Sequence, residues 1–114
     1  MKMLKFIISH KYKENMSPEE LYDITRQAWS PQNASYERRQ VEKYGYAVAV
    51  AYYIVKEVYK IHKWEPVMDK GSERWRFIGE LANESLRSQC IDKEHKNEPG
   101  NQSPVFPVTL DELQ

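Results

Sequence analysis

Short apolar runs alternate with polar, turn-forming segments along this chain, and most of them predict strands. The first run, MLKFII in residues 3–8, is bounded by the polar SHKYKEN, which indicates a buried strand. In residues 74–80, Trp75, Phe77 and Gly79 alternate with Arg74, Arg76 and Ile78, the pattern of a strand with one mainly polar face. After a charged, turn-rich segment at 92–103, VFPV predicts an edge strand, where a proline is tolerated.

Residues 46–64 fit either a helix or a pair of strands. A helix would bury a stripe of alanine, valine and isoleucine and would expose Lys56, Lys60 and Lys63. Strands suit the density of valine, isoleucine and tyrosine, the residue types that pack well on a pleated surface. The composition favours a hairpin or bent strand pair, followed by a turn at residues 65–73.

Capping signals predict the helices. Ser17, Pro18 and Glu20 supply an N-cap, a first-turn proline and the carboxylate of a capping box. The helix that follows is expected to end before Pro31, since a residue preceding proline disfavours helical geometry. A second helix is predicted over 35–43, and a third over 84–91 with an N-cap at Asn83 or one of its neighbours. The inward stripe of the first helix is Leu21, Tyr22, Ile24, Thr25 and Ala28.

These elements predict a single α+β domain. The 114 residues match the size of one domain, and their composition of 40% hydrophobic and 30% charged side chains is that of a folded protein. We expect the strands at 3–8, 46–64 and 74–80 to share one small, curved, mixed sheet or open barrel with two or three packed helices. The domain is predicted to span residues 1–110, with a tail at 111–114.

Charge and composition exclude several kinds of protein. The net charge is zero, although residues 1–64 carry +4 and residues 65–114 carry −4, so a basic face is an open expectation. The longest apolar stretch has 9 residues, at 47–55, and no membrane span is expected. Cys90 is the only cysteine and the N-terminus lacks a signal-peptide pattern, which together favour the cytoplasm.

The chemistry-bearing residues give no metal or cofactor motif. His10, His62, His95 and Cys90 are scattered without ligand spacing. The 4 glycines stand apart from one another, so neither a phosphate loop nor a dinucleotide fingerprint is present. The sequence therefore predicts a protein that uses no metal and no cofactor.

Three stretches carry a family resemblance: LYDITRQAW (21–29), YIVKEVYKIHKW (53–64) and ERWRFIGELANESLR (73–87). Together they resemble a set found in small bacterial proteins of the PUA-like group, which includes EVE, YTH and ASCH domains. The second stretch differs from the EVE pattern at Tyr53 and Lys56, where that group often has glycine. The resemblance implies a bent barrel with a cleft that receives a nucleobase or a short nucleic-acid segment.

The expected function is therefore a non-catalytic module that recognises DNA or RNA, with a modified base as one option. Aromatic rings stack on bases and arginines neutralise phosphates. The candidate binding residues are Tyr22, Arg26, Trp29, Arg38 and Arg39. A structural role is equally open for Tyr22, and it is open for Trp29 as a ring at the edge of the core and for Arg38 and Arg39 as part of a solvated helix face.

Two other functions stay open. A protein-interaction module, such as an inhibitor or a subunit of a defence complex, fits the small size and the many tyrosines. An ASCH-like amidohydrolase acting on a modified nucleoside is the enzyme alternative, with Thr25 and Glu57 as two of its residues. The lysine expected one helical turn before the threonine is absent, because positions 21–23 are Leu, Tyr and Asp.

Overall fold

The computed structural model describes residues 2–26, 44–69, 71–94 and 105–109, which form one mixed sheet with helices on it. The strands run in the order β4-β3-β2-β1-β5, so the sheet is open, and β1 and β2 are parallel whereas the other neighbours are antiparallel. The predicted α+β class with a small mixed sheet is confirmed. The elements are β1 (Lys2–Ile7), α1 (Pro18–Arg26), β2 (Tyr46–Ala51), β3 (Ile54–Asp69), β4 (Ser72–Leu81), α2 (Glu84–Cys90) and β5 (Val105–Thr109).

The segment 46–64, which fits two patterns in the sequence, consists of strands. β2 and the first part of β3 form an antiparallel hairpin whose two-residue turn is Tyr52–Tyr53. Residues 47–51 of β2 are all buried, because this strand lies in the middle of a sheet covered on both faces. A strand buried on both faces loses the alternation of apolar and polar residues, which explains why periodicity did not distinguish it from a helix.

The predicted turn at residues 65–73 is wrong over most of its length. β3 continues through Pro66 to Asp69, and Gly71, at φ +80°, lies in the turn to β4. Beyond Ile61, whose amide donates to the Gly45 carbonyl just before β2, the strand pairs with β4 alone. A strand paired on one side tolerates a proline, because the missing N–H need not break a second ladder.

The sheet separates two hydrophobic clusters. The α2-side cluster contains Met3, Val48, Val50, Val55, Val58, Ala82, Leu86 and Cys90. The α1-side cluster contains Leu4, Phe6, Ile8, Ala47, Ala49, Ala51, Tyr59 and Phe77, with Leu21, Tyr22 and Ile24 of α1 packed against it. Alternate residues of β1 and β2 supply the two clusters, as the two-residue period of a strand requires.

Both described helices begin where their caps predict. The Glu20 amide donates to Ser17 Oγ at 3.2 Å and the Ser17 amide donates to Glu20 Oε1 at 3.4 Å, which completes the capping box of α1. Asn83 Oδ1 accepts from the Leu86 amide at 2.8 Å at the start of α2. The predicted helix at 35–43, the end of the first helix beyond Arg26 and the tail at 111–114 lie outside the described residues.

Candidate nucleic-acid interface

Two of the predicted binding residues, Tyr22 and Arg26, lie together on α1. The Arg26 guanidinium carbon lies over the Tyr22 ring, 5.0 Å from its centroid, and Arg26 Nε donates to Asp23 Oδ1 at 3.3 Å. This arrangement is a cation–π contact one helical turn apart. The remaining predicted residues, Trp29, Arg38 and Arg39, are outside the part of the chain that the structure describes.

The Tyr22 side chain attaches α1 to the sheet. Its hydroxyl accepts a hydrogen bond from the Gly79 amide at 2.9 Å, and its ring centroid lies 5.3 Å from that of Tyr59 and 6.0 Å from that of Phe77. With Arg26 over the ring and two aromatic neighbours around it, Tyr22 is part of the α1 docking contact. Of this pair, Arg26 is the member with its charged group near the surface.

The residues of the enzyme alternative are held in structural contacts. The buried Thr25 hydroxyl donates to the Leu21 carbonyl at 2.8 Å, a bond within the helix. Glu57 accepts two hydrogen bonds from Arg87 of α2, at 2.7 Å from Nε and 2.9 Å from Nη2. The bidentate bond to Glu57 raises the pKa of Arg87, and burial, with a smaller contribution from the Glu57 charge, raises that of the Tyr59 hydroxyl.

A second surface lies at the other end of β2, where Tyr52 and Tyr53 form the turn to β3. Their side chains are 64% and 53% exposed, although they interrupt the most apolar stretch of the chain. The six residues of β2 separate this turn from the Tyr22–Gly79 contact by roughly 20 Å, at about 3.3 Å per residue. We call Tyr52, Tyr53, Ser9, His10, Lys13 and Lys56 the hairpin tip surface.

The backbone of this turn is unfavourable for its residues. Tyr52 has φ +51° and Tyr53 has φ +67°, and positive φ at both central residues is the pattern of a type I′ turn. Such turns strongly prefer Asn-Gly, because a residue with a Cβ loses about 1–2 kcal/mol in left-handed geometry. Two tyrosines in succession therefore hold strain that a different sequence would relieve.

The loop after β1 is joined to this turn and carries basic side chains. The Tyr52 amide donates to Ser9 Oγ at 2.9 Å, and the same loop continues through His10 and Lys13. Lys56, left without an opposite residue by the bulge in the β2–β3 pairing, places its ammonium 5.0 Å from the centroid of the Tyr12 ring. The hairpin tip surface thus combines exposed rings with cationic groups on the side of β1.

The opposite flank of the turn is acidic. Ile54 forms a bridge with Glu94, and the amide of Asp92 donates to the Val55 carbonyl at 2.9 Å, so residues 92–94 lie beside the start of β3. Lys93 stands between the two carboxylates in sequence. The two tyrosines therefore project from a border between a basic flank and a mainly acidic one.

No helix among the described residues is long and apolar enough to cross a membrane. Within the same residues, no three His, Cys, Asp or Glu side chains are grouped so that they could hold a metal ion. Comparison with family models, with curated proteins and with solved structures found no match for this chain.

Proposed function

We propose that this chain is a non-catalytic module that binds nucleic acid through the hairpin tip surface. The observation that carries the proposal is the pair of exposed tyrosines kept at positive φ beside a basic loop. Strained backbone that persists is concentrated at functional sites, because selection for folding alone removes it. The resemblance to PUA-like proteins agrees with this function but remains a prediction.

The chemistry of the hairpin tip surface suits a nucleic-acid ligand. Each base–aromatic stack is worth about 1–3 kcal/mol and needs an exposed ring face, which Tyr52 and Tyr53 provide. Lysine ammonium groups contact phosphates and release counterions, which makes the affinity fall with salt. Lys13 and Lys56 are the cations of this surface that we assign to phosphate contacts.

We assign a second phosphate contact to the predicted binding residues on and after α1. Arg26 retains a partly exposed side chain near the end of α1, at the far end of β2 from the turn. Trp29, Arg38 and Arg39 follow it in the sequence and remain predicted contacts. A ligand that spans both surfaces must extend over roughly 20 Å, the length of β2.

The test compares two surfaces on one folded protein. The double variant Tyr52→Asn/Tyr53→Gly gives the turn its preferred residues, so we expect it to stay folded, and its circular dichroism spectrum checks this before binding is measured. Fluorescence anisotropy with labelled single- and double-stranded DNA and RNA, at low and moderate salt, should show at least about a tenfold loss of affinity for this variant. Met68→Ala is the matched control, since Met68 is 73% exposed near the distal β3–β4 turn.

The outcomes separate the alternatives. If the control and the double variant bind equally well, the hairpin tip surface is not the site. A loss confined to Arg26→Ala would move the site to α1. If no oligonucleotide binds even at low salt, nucleic acid is not the ligand, and the exposed tyrosines become anchors for a protein partner.

A further inference from the structure

We infer that the ligand is a single-stranded segment that offers two adjacent unpaired bases, one to each tyrosine of the turn. The inference rests on the proposed function and names the kind of nucleic acid that the hairpin tip surface selects. It depends on the separate exposure of Tyr52 and Tyr53 and on the charge difference between the two flanks of the turn.

The two rings are available independently. Among the described residues, no aromatic ring or cation packs against either Tyr52 or Tyr53, in contrast to the rings of Tyr12 and Tyr22, which lie under Lys56 and Arg26. Consecutive Cα atoms are about 3.8 Å apart, so both rings project from one short arc of backbone. Positive φ at both residues defines that arc, so the backbone beneath the rings needs little ordering when a ligand binds.

A duplex does not offer what these rings can use. Inside a double helix each base face is covered by its neighbours, and exposing one costs a few kcal/mol for unpairing and unstacking. A single strand can spread adjacent bases without that cost, and aromatic side chains bind such bases with little sequence preference. A duplex is left with phosphate contacts alone, which should be weak and strongly dependent on salt.

The charge difference between the two flanks of the turn favours one position for the phosphates of the ligand. Phosphates are attracted to the side that carries Lys13 and Lys56 and are less favoured on the side where Asp92 and Glu94 outnumber Lys93. The sugar-phosphate backbone of the single-stranded ligand should therefore follow the loop after β1, while its bases reach across the turn. This arrangement uses the tyrosines for bases and the lysines for phosphates.

The experiment keeps the phosphates constant and varies the bases. Each hexanucleotide carries zero, one, two or three adjacent bases and has abasic sites at all its other positions. The affinity of each hexanucleotide for the wild-type protein is measured at moderate salt. We expect about a tenfold gain for the first base, a similar gain for the second and almost none for the third. Each single variant, Tyr52→Asn or Tyr53→Gly, should gain affinity from the first base only. The double variant Tyr52→Asn/Tyr53→Gly should gain none from any base.

The results distinguish this inference from the proposed function. If the wild-type protein binds a 20-base-pair duplex as tightly as a single strand, and the double variant loses both equally, the tip binds nucleic acid but the inference is wrong. Equal affinity for the hexanucleotides with zero and two bases would also overturn it, because the rings would then contact no base. If no hexanucleotide and no duplex binds, the proposed function itself fails.

Discussion

Replacing Gly79 with alanine should destabilise the fold at the contact between β3 and β4. A Cβ built on Gly79 would lie 2.2 Å from the Lys60 carbonyl oxygen, and real Cβ atoms essentially never come closer than 3.0 Å to another heavy atom. The two strand backbones must therefore separate by nearly 1 Å, next to the bulge where His62 has no opposite residue in β4. Overpacking of this kind costs about 1–3 kcal/mol, and a weakened bond from the Gly79 amide to Tyr22 adds about 1 kcal/mol. The expected loss is about 2–4 kcal/mol.

Urea denaturation followed by circular dichroism measures this loss, with Gly45→Ala as the matched control. Gly45 has open space where its Cβ would be and does not have positive φ, so alanine there should leave the stability unchanged or raise it by about 0.4–1 kcal/mol. The midpoint of Gly79→Ala should fall while the slope stays constant, since the extent of unfolding is the same. A Gly79→Ala protein within 0.5 kcal/mol of wild type, on the order of a neutral surface substitution, would refute the close approach of these strands.

Two further predictions concern buried polar groups. Arg87→Met leaves the Glu57 carboxylate without its bidentate partner and should lower the free energy of unfolding, measured in denaturant, by about 2–3 kcal/mol. Adding Glu57→Gln to the same chain should recover part of that loss. An Arg87→Met protein as stable as wild type would contradict the pairing. Burial raises the pKa of Tyr59 above its usual value of 10.0, so the hydroxyl ionises at a lower pH in the unfolded chain than in the folded protein. Tyr59 should therefore leave the stability unchanged at neutral pH and should lower it as the pH rises above about 10. Tyr59→Phe should make that fall shallower by up to about 1.4 kcal/mol per pH unit, and an identical slope in both proteins would contradict the shift.

The sequence predicts those parts of the fold that local rules control. Ser17, Pro18 and Glu20 determine the start of α1, and Asn83 determines that of α2, because a cap depends on three or four neighbouring residues. The extent of β3 is different, since whether Pro66 ends the strand depends on which strands lie beside it. Sheet order brings residues from distant parts of the chain together, and no local pattern specifies it.

The candidate site likewise contains a contact between neighbours in the sequence and contacts that depend on distant residues. Tyr22 and Arg26 are four residues apart on α1, a spacing that brings two side chains together on the surface of a helix. The role of Tyr22 in docking depends on the Gly79 amide 57 residues away, which the sequence does not indicate. Tyr52 and Tyr53 read as strand residues in an apolar stretch, so their exposure follows only from the position of the turn.

The two hairpins in the described part of the chain allow a last prediction about the strained turn. The β3–β4 turn places Gly71 at φ +80°, where glycine has no steric cost, whereas the β2–β3 turn places Tyr52 and Tyr53 at φ values that disfavour them. If the tyrosines serve the fold, Tyr52→Asn/Tyr53→Gly should destabilise it. If they are kept for binding, the exchange should raise the free energy of unfolding by about 1–2 kcal/mol, because relief of strain exceeds the added freedom of the unfolded glycine. Urea denaturation of the two proteins decides, and a less stable variant would mean that the exposed rings contribute to folding and that the strain gives no evidence of function.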